Sequence, residues 1–231
     1  PETPMTDRPR SRTRALSPER FKALADGVFS IALTLLIIDV VAAAKEVEPG
    51  ITLNAHLLRH WGTGVSYLVG FLTIFVCWTN HHAVLDEIER VDRGLIWTGG
   101  VQLGLVSAIP LPTALLAEHF TGEGSATAFF LYGVTFLLIA TSFWAVSRTV
   151  LRRGLLRTDG DREMLDRLRR AYLVAIAWNV LCLLALSLSL FVALPMWAVM
   201  FAVFAFPGEF ANRLHDLFVA STRPATPVDA G

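Results

Sequence analysis

Long stretches without a charged residue constrain this chain more than any other feature of its sequence. No Asp, Glu, Lys or Arg occurs in 60–85, 94–117, 124–147 or 171–208. A helix needs about 20 residues to cross the hydrocarbon core of a bilayer, because it rises about 1.5 Å per residue. A single segment in lipid must also satisfy its own backbone hydrogen bonds, so these stretches predict membrane-spanning α-helices.

These stretches, together with an apolar segment near the N-terminus, predict an all-α, polytopic membrane protein with six transmembrane helices. The longest stretch exceeds one crossing, so we expect two helices joined by a tight turn near 193–195; a single bent helix, giving five spans, is the alternative. Residues 1–17 and 221–231 are expected to be disordered tails beside a six-helix transmembrane domain over 18–220. The predicted spans are 20–42, 62–83, 95–117, 126–147, 171–191 and 193–209.

The distribution of charge predicts the orientation of the chain in the cell membrane. All of its 20 Lys and Arg residues except Lys45 and Arg59 fall on one side of the predicted spans. Because positive charge is retained in the cytoplasm, both termini are expected to be cytoplasmic. A charged fraction of 17% beside a hydrophobic fraction of 54% argues against a nucleic-acid-binding protein, a disordered chain or an ordinary soluble enzyme.

The first span is unlike the others because one of its faces mixes small polar residues with bulky branched ones. At about 100° per residue, Thr34 lies at the centre of a face that Leu35 borders. Such a face could line a narrow pathway. Its hydroxyls would bind a partly dehydrated cation, and Ile or Leu side chains arranged in a ring around the pathway would exclude water. Packing against other helices is the commoner role for this pattern. The face comprises Gly27, Ser30, Ile31, Thr34, Ile38 and Val41.

Three segments of the sequence resemble the transmembrane protein 175 family of potassium channels, in its bacterial single-repeat form. The first, RFKALAD at 20–26, resembles the family signature Arg-x-x-x-Phe-Ser-Asp, with Leu24 and Ala25 in place of Phe and Ser. The second, WTNHH at 78–82 with RVDRGLIW at 90–97, resembles the segment that joins helices 2 and 3. The third, PLPTALL at 110–116, resembles the kinked third helix.

The resemblance implies a homotetramer in a bacterial membrane, with the first helix of each subunit around a central pore. It places the pore-constricting positions of the family on Ile31, Leu35 and Ile38, and its pore hydroxyls on Ser30 and Thr34. Potassium is then the permeant ion, and no cofactor or other metal is expected. The sequence lacks the filter motif Thr-Val-Gly-Tyr-Gly and an Arg-rich voltage-sensing span, so selectivity is expected to come from side chains and to be modest.

Several polar residues fall near the cytoplasmic ends of spans 1 to 3. We expect Arg20 and Asp26 to join a buried polar network with a histidine of span 2 and Trp97 of span 3, because buried charges need partners. The alternative is that Asp26 only favours the positive end of its helix and that the histidines are solvated. Adjacent histidines point in different directions on a helix, which argues against a shared metal ion. The full set is Arg20, Asp26, His81, His82, Asp92 and Trp97.

These observations favour a potassium-permeable cation channel with a hydrophobic gate in the first span. One alternative is an ion-coupled secondary transporter that uses Asp26, although transporters often show internal repeats that are not visible here. Another is a membrane enzyme or assembly factor acting through His81, His82 and Asp86, for which no catalytic motif is found. The expected partners are further copies of the chain and membrane lipids, and neither enzymatic activity nor nucleic-acid binding is expected.

Overall fold

Eight α-helices make up the described part of the chain, residues 17–45 and 50–204 of a computed structural model. Five segments in this part are long and apolar enough to cross a membrane: α1, α3, α4 with α5, α6 and α7. This confirms the all-α membrane class. The helices are α1 (Pro18–Lys45), α2 (Leu53–Arg59), α3 (Trp61–Leu85), α4 (Arg93–Ser107), α5 (Pro110–Glu118), α6 (Ser125–Arg153), α7 (Asp159–Leu188) and α8 (Leu190–Phe204).

The last apolar stretch divides at Ser189, so the turn predicted near 193–195 was misplaced. Ser189 has extended backbone angles, with φ of −166° and ψ of 132°. Its hydroxyl accepts a hydrogen bond from the Phe191 N–H at 3.2 Å, and its carbonyl accepts one from the Ala193 N–H at 3.2 Å. Serine is a favoured helix N-cap for this reason. Pro195 lies inside α8, where its missing N–H removes one helical hydrogen bond.

Parts of the predicted layout lie outside the described residues. These are most of the predicted N-terminal tail, the end of the sixth span over 205–209 and the predicted C-terminal tail. The described part of α8 is apolar but shorter than the five candidate spans.

The third span is two helices rather than one bent helix. The kink expected at Pro110 and Pro112 is a break, with α4 ending at Ser107 and α5 beginning at Pro110. The Ala108 N–H donates to the Leu105 carbonyl at 3.3 Å, which closes the last turn of α4. Proline fits the first turn of α5 because an N–H there has no helical acceptor.

Helix α1 lies at one edge of the bundle. It packs on α3, α4 and α5, whereas α6 packs on α4, α5 and α7, and α8 packs on α7 at the opposite side. Two tryptophans fix α8 to α7: Trp178 Nε1 donates to the Met196 carbonyl at 3.0 Å, and Trp197 Nε1 donates to Asn179 Oδ1 at 3.3 Å. The edge position leaves one side of α1 without a neighbour in the subunit.

The short helix α2, which the sequence analysis did not predict, holds the C-terminal end of α1. Thr52 caps it by accepting a hydrogen bond from the Ala55 N–H at 3.4 Å. His56 is buried, and its Nε2 lies 2.7 Å from the Ala43 carbonyl. We call this end of the bundle the distal end, and the end at which α1 begins the proximal end.

Two loops are joined at the proximal end. The Glu89 N–H donates to the Leu155 carbonyl at 2.9 Å, and the Arg157 N–H donates to the Glu87 carbonyl at 3.1 Å. The α3–α4 and α6–α7 connections therefore form one hydrogen-bonded unit. Lys22 of α1 adds to it through an ion pair with Asp86, with Nζ and Oδ1 2.7 Å apart.

Substitution of Gly70 by Ala is expected to destabilise the protein, because this glycine of α3 lies where α1, α3 and α5 meet. A Cβ there would lie 2.8 Å from Thr113 Cγ2 and 3.2 Å from Leu36 Cδ2. Thr113 is buried and short, so relief requires a shift of α5, at a cost of about 1–3 kcal/mol. Thermal unfolding of the purified protein in detergent measures the effect.

Gly64→Ala is the matched control, because a Cβ at this position of the same helix would meet no atom within 4 Å. It should unfold at the wild-type temperature or slightly above, since Ala favours helix more than Gly. Equal unfolding temperatures for the two variants would show that the three helices are not closely packed at Gly70.

Candidate pore face and its polar support

The buried side of α1 is a narrow stripe confined to its first two-thirds. Its buried residues are spaced three or four positions apart, as one face of a helix requires. In the most apolar 18-residue segment of α1 only 17% of the residues are buried, whereas 33–39% are buried in the corresponding segments of the other four candidate spans. Most of this apolar helix is therefore exposed in a single subunit. The stripe consists of Phe21, Ala25, Phe29, Ala32 and Leu36.

The opposite side of α1 carries the residues that the sequence analysis selected. Ile31 is 62% exposed, Ile38 57% and Leu35 42%, and Ser30 and Thr34 are exposed beside them. The structure thus brings the five predicted pore residues together on one face that no other described helix of the subunit covers. Such a face must contact lipid, further copies of the chain, or water.

The Thr34 hydroxyl is oriented by its own helix. Its Oγ1 donates to the Ile31 carbonyl at 2.9 Å. Because the hydroxyl proton is used in this bond, the oxygen lone pairs remain available as acceptors on the exposed face. An acceptor in that position can coordinate a cation but cannot donate to an anion.

Asp26 forms a small polar cluster with α3 at the proximal end. Trp78 Nε1 donates to Asp26 Oδ1 at 3.0 Å, and His82 Nε2 lies 3.6 Å from the same oxygen. The rings of Trp78 and His82, one helical turn apart, have centroids 4.5 Å apart. His82 is thus the histidine of α3 that lies next to Asp26. The carboxylate is half-exposed rather than buried as expected, because it lies beside the buried stripe and not on it.

His81 points away from His82 and into the subunit. Its Nδ1 lies 3.0 Å from Oε1 of Gln102 in α4, and both side chains are buried. Gln102 was not among the residues predicted from the sequence, although the single side-chain amide of this span was a usable signal. The two histidines diverge as adjacent helical positions should. In the described residues no group of three or more His, Cys, Asp or Glu side chains is placed to hold a metal ion.

Arg20, Trp97 and Asp92 do not reach Asp26 within one chain. Arg20 is exposed, and none of the ion pairs among the described side chains includes it. Trp97 is 76% exposed, because it lies between the buried positions Leu95 and Gly99 of α4 and points away from them. The subunit therefore contains only part of the predicted network.

Asp92 has a local structural role instead. Its Oδ1 accepts a hydrogen bond from the Leu95 N–H at 2.9 Å, which caps α4, and its Oδ2 pairs with Arg153 Nη1 at 2.8 Å. Burial acts to raise the pKa of Asp92, but these two hydrogen bonds and the charge of Arg153 hold the pKa below its ordinary value. The carboxylate is therefore ionised at neutral pH and links the start of α4 to the end of α6.

Several helices are apolar and long enough to cross a membrane, which defines a multi-pass membrane protein. Its edge helix α1 carries hydroxyls and branched aliphatics on its uncovered face. Comparison with known proteins gives the family. The family model described as "Endosomal/lysosomal potassium channel TMEM175" matches residues 20–110. This range contains α1 from its third residue onward, the whole of α2 to α4, the cluster around Asp26 and the exposed face.

Two bacterial relatives extend the match beyond that range. A potassium channel of Chamaesiphon minutus is 34% identical over 156 residues, which are 66% of this chain and 76% of that protein. A potassium channel of Streptomyces collinus is 37% identical over 156 residues, covering 66% of this chain and 75% of that protein. The chain belongs to the TMEM175 family, which confirms the resemblance seen in the sequence, and it is a multi-pass protein of a bacterial membrane.

A solved structure shares the fold. The crystal structure described as that of a lysosomal potassium-selective channel TMEM175 homolog from Chamaesiphon minutus superposes with a TM-score of 0.72 at 28% identity. The match covers 83% of this chain and 97% of that one. The arrangement of helices, and not only the signature segments, is therefore that of a channel of this family.

Proposed function

We propose that this protein is a potassium-permeable cation channel, a homotetramer in which α1 of each subunit lines a central pore. Two relatives named as potassium channels and a solved potassium-selective homologue support this function. The observation that carries it is the uncovered face of α1, which presents hydroxyls and large aliphatic side chains away from the subunit.

The hydroxyls are the reason to place this face at a pore. Lipid tails are as apolar as Ile or Leu, so aliphatic exposure alone is equally compatible with contact to lipid. Ser30 and Thr34, however, lie far from either end of α1, where polar groups favour water or protein over lipid. One copy cannot enclose a conduit, whereas four copies around an axis turn these oxygens towards a shared space.

The aliphatic residues of the face would form the gate. Ile31, Leu35 and Ile38 lie on successive turns, about 6 Å and about 4.5 Å apart along the helix. In a tetramer each becomes a ring, and a narrow ring of branched aliphatics excludes water and therefore ions. Opening requires the rings to widen enough to become wet.

The hydroxyl oxygens would supply the selectivity. Thr34 lies between the Ile31 and Leu35 rings, with its lone pairs free for a cation. Ser30 lies one turn nearer the proximal end. Potassium loses its hydration shell more readily than sodium, so a few side-chain oxygens at a constriction favour it modestly.

The polar cluster at the proximal end would set the tilt of α1. Asp26 is held to α3 by Trp78 and His82, and Lys22 is held to Asp86. Arg20 and Trp97, which are exposed in one chain, would complete the network across the contact between subunits. The proximal end carries the basic residues of the α6–α7 connection, so we place it, and both termini, in the cytoplasm. The sixth span is then α8.

Reconstitution tests the proposed function directly. The purified chain in planar bilayers should give unitary currents whose reversal potential follows the potassium equilibrium potential. No cofactor should be needed, since the pore requires only the permeant ion. Slow, saturable flux coupled to protons would instead show an ion-coupled secondary transporter, for which Asp26 is the candidate coupling site.

Ile31→Asn should raise the potassium current about tenfold, a lowering of the barrier by roughly 1.4 kcal/mol, because an amide at the narrowest ring retains water. Bilayer recordings at equal amounts of reconstituted protein measure it. Leu138→Asn is the control, an exposed aliphatic position within α6, away from α1. An unchanged current in Ile31→Asn, or the same increase in both variants, would exclude Ile31 as the gate.

Asp26→Asn should lower either the tetrameric fraction or the potassium current by about twofold to fivefold, because an amide oxygen accepts the Trp78 hydrogen bond less strongly than a carboxylate, by up to about 1 kcal/mol. Gel filtration in detergent and bilayer recordings give the two readouts. Asp39→Asn, in the distal part of the same helix, is the matched control. Normal tetramers with wild-type currents in Asp26→Asn would contradict a role for the cluster.

A further inference from the structure

A positively charged cleft lies between α6 and α7 at the proximal end, away from the pore face. Its volume is about 380 Å³. The lining side chains follow one face of each helix at spacings of three or four residues, so the two faces oppose each other across the groove. Helix α6 contributes Trp144, Arg148 and Arg152, and α7 contributes Arg162, Asp166 and Arg169.

The carboxylate in the cleft is already neutralised on its own helix. Asp166 Oδ1 lies 2.7 Å from Arg169 Nη2, and its Oδ2 lies 2.9 Å from Arg170 Nη1. None of the ion pairs among the described side chains includes Arg148, Arg152 or Arg162. Three arginines without an ion pair therefore line the same cleft. Guanidinium groups bind phosphate through paired N–H donors, so the matching ligand is a phosphate group.

Trp144 forms the apolar part of the cleft and positions one of its arginines. The Arg148 guanidinium carbon lies 5.0 Å from the centre of the Trp144 ring, which holds this arginine at the mouth of the cleft.

The depth of the cleft identifies the source of the phosphate. Arg148 is the first charged residue after the charge-free stretch 124–147, and Trp144 lies within that stretch. The cleft therefore crosses the boundary between the apolar core and the basic surface, where tryptophans are enriched and phospholipid headgroups lie. A free phosphate ion would make no favourable contact with the apolar part of the cleft. A lipid would place its headgroup in the basic part and its apolar portion in the apolar part.

We propose that this cleft binds the headgroup of an anionic phospholipid, with the phosphate held by Arg148, Arg152 and Arg162 and the apolar part of the lipid next to the Trp144 ring. Basic pockets between transmembrane helices bind lipid headgroups by this chemistry. The site is formed by α6 and α7, whereas the pore face belongs to α1, so lipid binding is separable from conduction.

Native mass spectrometry of the full chain tests the proposal. The protein is mixed with equal amounts of phosphatidylglycerol and phosphatidylcholine in detergent, and the lipid that remains bound is measured. The wild type should retain phosphatidylglycerol in preference to phosphatidylcholine. Arg152→Gln and Arg162→Gln, one on each helix, should each weaken phosphatidylglycerol retention about fivefold, since each basic residue near a membrane surface contributes about that factor.

Two controls separate this site from general charge attraction and from a free-anion site. Arg93→Gln removes an exposed arginine at the start of α4, also at the proximal end but outside the cleft, and should retain phosphatidylglycerol as the wild type does. Addition of inorganic phosphate should displace little lipid.

Three results would overturn the proposal. One is equal retention of the two lipids by the wild type. Another is the same loss of phosphatidylglycerol in Arg93→Gln as in Arg152→Gln. The third is displacement of the lipid by inorganic phosphate at equal concentration, which would show a site for the free anion.

Discussion

The hydrocarbon core of a bilayer offers no partner to a backbone N–H or C=O group, and the architecture of this protein follows from that constraint. Each membrane crossing is a continuous helix, except where the sequence deals with the backbone N–H groups that a break leaves without a helical hydrogen bond. Pro110 has no N–H to satisfy at the start of α5, and the Ser189 hydroxyl accepts the Phe191 N–H at the start of α8. In the described part of the chain, the apolar helices are interrupted at positions where this chemistry is available.

Once the backbone is satisfied, the faces of the helices can take different roles. Helix α1 uses one stripe to pack on its subunit and leaves the rest for contacts outside it. Helices α6 and α7 pack on each other, and at the proximal end arginines of both helices line a cleft between them. The proposed conduction path and the proposed lipid site thus lie on different helices and depend on different interactions.

The sequence predicted most of what depends on local pattern. An apolar segment located the first span, charge-free length located the next four, and helical periodicity placed Ile31, Thr34 and Ile38 on one face, because these signals lie within a single helix. The turn at Ser189 was missed because Pro195 is the stronger local signal for a break, whereas α8 continues through this proline with the loss of one helical hydrogen bond. The choice of His82 over His81 as the neighbour of Asp26 depends on how α3 is rotated against α1, and no signal within either helix fixes that rotation.

The buried stripe of α1 ends at Leu36, and this gives the helix two mechanically different parts. Moving the proximal two-thirds would expose buried side chains, at about 25 cal/mol for each Å² of apolar surface. Moving the distal third would separate no buried residue of α1 from the subunit and would break the bond between His56 and the Ala43 carbonyl, worth about 1 kcal/mol. Thermal motion of α1 should therefore be smallest at the proximal end, where the helix is packed on the subunit, and largest at the distal end.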